Sequence, residues 1–145
     1  MKELKNFPVE IAGGAEGLLT IASGPVIIEN GRTLLVQHGE ELWKFPGGTV
    51  RTNETFEQTA VREVKEEVGA EVELSGEPRI IVMQREKEGK IITVVLVHYF
   101  AKRLNDVLEK GEGINKMEWF PVDQLPTDAQ PNVKPVVQHF AKLNS

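Results

Sequence analysis

Residues Gly48–Ala70 read GTVRTNETFEQTAVREVKEEVGA, a polar, turn-prone loop running into a short glutamate-rich amphipathic helix closed by Gly69. Residues three and four apart share one face of a helix, so Glu63, Glu66 and Glu67 project together. At about 100° per residue, Phe56, Ala60, Val61, Val64 and Val68 fall on a separate arc. That arc is predicted to dock on a core and to aim the three carboxylates at one place in solvent. Like charges so close repel. A hard divalent cation with oxygen ligands is the natural counter-charge.

Outward from this stretch, the chain reads as short strands on both sides. The N-terminal residues 1–17 mix charge, proline and glycine, and are expected to form at most a short strand near Val9–Ala12. Leu18–Ala22, Pro25–Glu29 and Thr33–Gln37 are aliphatic and β-branched runs, with the hairpin dipeptide Asn30-Gly31 between the last two. A further strand is predicted over Glu41–Phe45, ended by Pro46-Gly47-Gly48. The helix itself is expected from Thr52–Thr55 to Val68, with Gly69 as its stop.

Beyond the helix, Glu71–Leu74 reads as a short strand broken at Ser75–Pro78. Arg79–Arg85 and Lys90–Lys102 read as long strands joined through Gly89. Arg103–Asn115, with Gly111 and Gly113, reads as a mobile loop, followed by a strand at Lys116–Phe120. A second helix runs from Asn132 or Val133 to Leu143, carrying Val136, Val137, Phe140 and Leu143 on one side, with Pro135 in its first turn. Strands outnumber alternating β-α units, so a doubly wound parallel sheet is not expected. The fold class predicted is α+β: a mixed sheet of six or seven strands with one helix in mid-chain and one at the end.

At 145 residues, 40% hydrophobic and 27% charged, the chain is long enough for one domain with a substantial core, taken to span residues 1–145. A net charge of −5 argues against binding a nucleic-acid polymer through its backbone, but leaves room for small phosphorylated ligands, because a bound metal inverts the local sign. The absence of cysteine rules out disulfides, thiolate metal sites and cysteine nucleophiles. No apolar run reaches the roughly 18 residues needed to cross a membrane. The start MKELKNFPVEIAGG lacks the apolar core of a signal peptide, so a cytoplasmic location is expected.

The spacing within Gly48–Ala70 carries a resemblance. Gly48 is followed after five residues by Glu54, and after seven more by Arg62-Glu63, then Glu66-Glu67 and Gly69. This resembles the signature of the Nudix hydrolase superfamily, G-x5-E-x7-R-E-U-x-E-E-x-G-U, where U is a bulky aliphatic residue. All seven fixed residues are present. At roughly 7% per position, a chance match at one start point is on the order of 10⁻⁸. Two departures stand out: Ala70 occupies the last aliphatic position, and Arg51 and Asn53 stand where many members carry Glu and Gly. Asparagine is the side chain that best tolerates a left-handed turn, so the loop survives Asn53.

The resemblance implies an α/β/α sandwich whose loop–helix–loop binds Mg²⁺ or Mn²⁺ and hydrolyses a nucleoside diphosphate linked to another group. By position in the signature, Glu63, Glu66 and Glu67 would ligate the metal, with the carbonyl of Gly47 as a further ligand. Arg62 would orient a carboxylate, Glu54 would support the loop, and Gly48 and Gly69 would shape it. The general base would be a glutamate of the signature or one on a later loop, where Glu112, between two glycines, is favoured over Glu109 and Glu118. Arg51 is a candidate for a substrate phosphate, against a solvated loop arginine; Trp43 is a candidate for stacking on a base, with packing of the loop the favoured reading; and His38 is a candidate for lining the nucleotide pocket. Without the flanking pattern, the acidic face alone would read as a solvated helix surface, as Glu57 still does. His98 reads as a satisfied sheet residue, and His139 belongs to the last helix.

Subfamily marks are few. A proline about fifteen residues past the signature marks relatives acting on ADP-ribose, and Arg85 stands there; the tyrosine of dinucleoside-polyphosphate hydrolases and an NADH-type SQPWPFP stretch are also missing. Nucleoside triphosphates are thus the leading substrates, with ADP-ribose, nucleotide sugars and dinucleoside polyphosphates as alternatives. A nucleotide-sensing module without catalysis is the alternative of another class. The expected partner is a small nucleotide, with a homodimer left open.

Overall fold

The computed structural model describes residues 7–11 and 15–144. In order, the elements are β1 (Phe7–Ile11), β2 (Ala15–Glu29), β3 (Arg32–Gln37), β4 (Gly48–Thr49), α1 (Phe56–Val68), β5 (Val72–Lys87), β6 (Lys90–Arg103), β7 (Lys116–Pro121) and α2 (Val133–Leu143). The strands form one mixed seven-stranded sheet with the path β5-β6-β2-β3-β7. β2 runs parallel to β6 from the Gly17–Ile91 pair to the Ile27–Ala101 pair. Its other edge is shared in turn by β1, β4 and β3, all antiparallel. The predicted mixed sheet with two helices is therefore found, as is the Asn30-Gly31 hairpin, both of whose residues have positive φ (52° and 73°).

Neighbouring residues on a strand point to opposite faces, and this splits the core in two. Ile27, Leu34 and Val36 face Val64 and Val68 of α1. Val26 and Leu35 face Val133, Val136, Val137 and Phe140 of α2, together with Trp43 and Phe45. The sheet is thus sandwiched between the helices. Burying each such aliphatic side chain contributes about 1.5–3 kcal/mol.

Helix α1 starts where the sequence places it. Thr55 caps it in a reciprocal capping box with Gln58, and Gly69 closes it in the left-handed region at φ 70°. Its buried stripe is narrower than predicted: Ala60, Val64 and Val68 are buried, whereas Phe56 and Val61 are exposed. The stripe rotates instead towards Thr59 and Glu67, which are buried. In α2, Val133 joins the core and Leu143, in the last turn, stays exposed.

Four sequence expectations change. The runs Leu18–Ala22 and Pro25–Glu29 form a single strand, because β6 pairs with β2 continuously past Gly24 and Pro25. Pro25 falls in the interval where the second edge of β2 has no partner, a place that tolerates a residue without an N–H. Likewise Ser75–Pro78 is an irregularity inside β5 rather than a break, with register resuming at Arg79 against His98. Glu41–Phe45 is not a strand: Lys44 bridges to Val36 while Trp43 bridges to Ala129, so no ladder propagates. Finally, the loop after β6 is tied down. Glu109 N–H donates to Val68 O at 2.9 Å and Gly111 N–H to Glu67 O at 2.7 Å, satisfying carbonyls at the end of α1. The expected strand near Val9–Ala12 corresponds to β1, with Ala12 outside the described residues.

Candidate active site and ligand cavity

The loop before α1 is pressed against β2 by glycines. A Cβ on Gly24 would lie 2.1 Å from Pro46 O, and one on Gly47 2.8 Å from Ser23 O. Gly48 serves the acidic face directly, since a Cβ there would fall 2.5 Å from the Glu63 carboxyl group. That space is where Glu63 lies.

Arg62 organises the carboxylates. Its Nε donates to Glu54 Oε2 at 2.6 Å and its Nη2 to Glu54 Oε1 at 3.0 Å. Its Nη1 donates to Glu63 Oε1 at 2.8 Å and to Glu66 Oε2 at 3.3 Å. Thr59 Oγ1 adds a bond to Glu54 Oε1 at 2.7 Å. The Arg62 bond is the chief cause that holds the Glu54 carboxyl down at about 2, and the pairing raises Arg62 in turn. Glu54 thereby fastens the loop at Arg51, whose N–H it accepts at 3.3 Å, to the middle of α1.

The three signature glutamates differ in environment. The Glu66 side chain is half exposed at 52%, Glu63 is only 12% exposed and Glu67 9%. The expectation that all three face solvent therefore fails for Glu67, which the rotated stripe of α1 turns inward. Burial chiefly raises the Glu67 carboxyl, to about 8; Lys44 opposes this and Glu63 adds to it. Gly47 N–H approaches its Oε1 at 3.4 Å, while Oε2 is buried without a hydrogen-bond partner among the described residues. His38 Nε2 stands 3.8 Å from that oxygen, also unpartnered, and burial lowers this imidazole. Among the described residues, no three acidic or histidine groups already surround a common point. Arg62 holds Glu63 and Glu66 in part of that role. An orphaned carboxylate oxygen beside two more carboxylates is nevertheless a donor set suited to a hard cation.

Beside the acidic face lies a cavity of about 710 Å³, bounded by Gly47, Gly48 and Lys44 at one end and by Arg85, His98 and Asn132 elsewhere. It is large enough for a nucleoside-sized ligand. His98 is buried, which chiefly lowers its imidazole to about 4. It links Gly24 O, 3.3 Å from Nδ1, to Asn132 Nδ2, 3.0 Å from Nε2.

Several predicted site residues lie elsewhere. Trp43 is in the α2-side core, edge-on to Phe120 at 4.9 Å, and does not line the cavity. Its ring is needed to fill the core. His38 lies beside Glu67 rather than on the cavity wall. The half-buried Arg51 does not line the cavity either. Glu112 is exposed, although its neighbour Gly111 is held against α1 and Gly113 approaches His38. Sequence reasoning missed Lys44, His98 and Asn132 as cavity residues. Only Lys44 carried a local signal, three positions before Gly47.

A mixed sheet between two helices, with a glycine loop feeding an acidic helix, is a known architecture. The fold matches a MutT protein from Methanosarcina mazei with a TM-score of 0.71 at 19% identity, covering 88% of this chain and 96% of that one. The NUDIX domain pattern matches residues 19–140, and the chain belongs to that family. It is 39% identical over 72 residues to a CTP pyrophosphohydrolase of Escherichia coli, covering 46% of this chain and 52% of that protein. It is also 39% identical over 69 residues to nucleoside diphosphate-linked moiety X motif 6 of Xenopus laevis, covering 46% and 32%. The matched segments thus span a third to a half of these relatives' lengths. Among the described residues, no helix is long and apolar enough to cross a membrane.

Proposed function

We propose that the protein hydrolyses a diphosphate linkage in a nucleoside diphosphate bonded to a further group, with nucleoside triphosphates as the leading substrates and Mg²⁺ or Mn²⁺ as cofactor. The observation that carries this reading is Glu67. A carboxylate buried beside Glu63, with one oxygen unpartnered, is a costly arrangement that a cation at that oxygen relieves. Glu63, Glu66 and Glu67 would hold the metal, with Gly47 O as a further ligand. When bound, such an ion neutralises phosphate charge, polarises a phosphoryl oxygen and lowers the pKa of water.

The remaining roles fall to this chain's own groups. Arg62 and Glu54 keep the acidic face in register with the glycine loop. Lys44, at the junction of cavity and carboxylates, attracts the phosphate chain, while the cavity takes the nucleoside. Glu112 is the proposed base, on a loop whose glycines bring it beside the end of α1. The triphosphate reading draws support from the E. coli relative, whose name is that of a CTP pyrophosphohydrolase.

The test is a substrate panel with Mg²⁺ and Mn²⁺: the common and oxidised nucleoside triphosphates, ADP-ribose, NADH, nucleotide sugars and dinucleoside polyphosphates. Fastest turnover on a triphosphate supports the proposal. A preference for ADP-ribose or a dinucleoside polyphosphate replaces the substrate class, and tight binding without turnover on any of them means a nucleotide sensor.

A further inference from the structure

The Glu112 loop and Glu67 are joined twice. Through the backbone, Gly111 N–H donates to Glu67 O at 2.7 Å, an approach so close that a Cβ on Gly111 would lie 1.9 Å from Glu66 O. The second connection runs through His38, just beyond β3. The loop is fastened on both sides of this residue: Asn115 N–H donates to Gln37 O at 2.9 Å, and Gly39 N–H to Asn115 Oδ1 at 2.9 Å. The His38 imidazole is itself hydrogen-bonded to the Gly113 backbone, with Nδ1 the ring nitrogen that faces it. That contact favours a proton on the ring, so Nδ1 donates and the Gly113 carbonyl accepts. A neutral imidazole with its proton on Nδ1 offers a lone pair at Nε2. This lone pair faces Glu67 Oε2 at 3.8 Å, longer than a hydrogen bond, and both atoms are buried without a partner among the described residues. Two acceptors that face each other repel, and a positive group between them makes both contacts favourable. A cation held by Glu67 supplies that charge, directly or through one of its waters.

We propose that His38 is a positioning residue that orders the Glu112 loop when a cation occupies Glu67. Without the cation, nothing attracts Nε2, and the ring turns more freely. With it, the ring is pinned at both nitrogens, and the polarised Nδ1–H tightens on the Gly113 carbonyl, one residue from Glu112. The glutamate proposed as base is thus steadied only once the metal is in place. The inference deepens the proposed function, because it rests on a metal held by Glu67.

Hydrogen exchange of the Gly111, Ile114 and Asn115 amides, each bonded in the structure, reads the order of this loop without any substrate. In the full chain, saturating Mg²⁺ should slow these three amides about tenfold more than it slows the amides of α2. His38→Asn carries a donor in the place of Nδ1 and nothing in the place of Nε2, so it keeps the Gly113 bond and loses the link to Glu67. This variant should still bind Mg²⁺ in calorimetry, exchange at nearly the unaltered rate without metal, and lose the extra slowing. His38→Ala drops the Gly113 bond as well. It should exchange faster with and without Mg²⁺, show no extra slowing, and decide alone should His38→Asn fail to fold. A residue that only props the loop predicts that the extra slowing survives in either variant, and that result overturns the proposal. So does Mg²⁺ binding to the unaltered protein with no extra slowing. Loss of Mg²⁺ binding in both variants also overturns it, by making His38 a metal ligand. Ordering through His38 with no turnover on any nucleotide upholds this assignment while overturning the hydrolase reading, and no Mg²⁺ binding at all overturns both.

Discussion

Arg62 grips both carboxylate oxygens of Glu54, Nε to Oε2 at 2.6 Å and Nη2 to Oε1 at 3.0 Å, across eight residues that include the loop-to-helix junction. The grip is a planar fork on a planar acceptor, which lysine cannot reproduce. Arg62→Lys should lower kcat/KM roughly 10–100-fold, the usual effect of removing a partner that orients metal ligands. Steady-state kinetics across a metal titration checks this. Unchanged metal dependence would mean that Arg62 does not orient the glutamates.

The same pair makes an acid-stability prediction. Glu54 is held at about 2 against an ordinary value of 4.5, so the folded state favours its ionised form. Its contribution is complete above about pH 4.5 and fades as the pH falls towards 2. Denaturant titrations should show stability declining over that window, and Arg62→Leu should flatten the decline because the partner that depresses the carboxyl is gone.

Glu67 is predicted to oppose stability and serve function. Glu67→Gln removes the cost of an ionised buried carboxylate, so in EDTA at pH 8 and above the variant should melt about 2–5 °C higher than the unaltered protein. Added Mg²⁺ should raise the melting temperature of the unaltered protein and leave the variant unmoved. Turnover in the variant should drop by at least about 100-fold. Full Mg²⁺-dependent turnover in Glu67→Gln would sink the metal assignment.

Two glycines should separate function from folding. At Gly48 an added methyl first meets the Glu63 carboxyl group, a side chain that can swing aside. Gly48→Ala is expected to fold and to lose activity by about tenfold or more. At Gly24 the methyl meets the Pro46 carbonyl at 2.1 Å, which is backbone. Gly24→Ala should cost about 1–3 kcal/mol in chemical denaturation.

Glu112 is exposed, so Glu112→Ala should leave the melting temperature within about 1 °C. If it is the base, kcat falls about 10²–10⁴-fold with KM little changed. No change in rate moves the role to a glutamate of α1.

Local rules reached far in this chain because many of its elements are locally specified. Gly69 and Asn30-Gly31 each set their own conformation through neighbouring atoms and appear where a reading of the sequence puts them, and the capping box of Thr55 with Gln58 starts α1 at the end of its expected range. The spacing of Gly48, Glu54, Arg62, Glu63, Glu66 and Glu67 is also a local matter, since one helix carries most of it. What could not be read were outcomes that depend on distant partners. Gly24-Pro25 and Ser75–Pro78 look like breaks, and become strand because the continuous β6 pairs on past them. Arg103–Asn115 looks mobile, and is tied because the end of α1 needs donors for its carbonyls.

By itself, the sequence determined that a glycine loop would feed an acidic helix with Arg62 among its carboxylates, because helical periodicity and capping act within a few residues. Only the tertiary structure decided that Glu67 turns inward while Glu66 stays in water, and that His98 meets Asn132. Each of those depends on which face of α1, β6 or α2 is pressed against the sheet, and burial is settled by packing between elements remote in the chain.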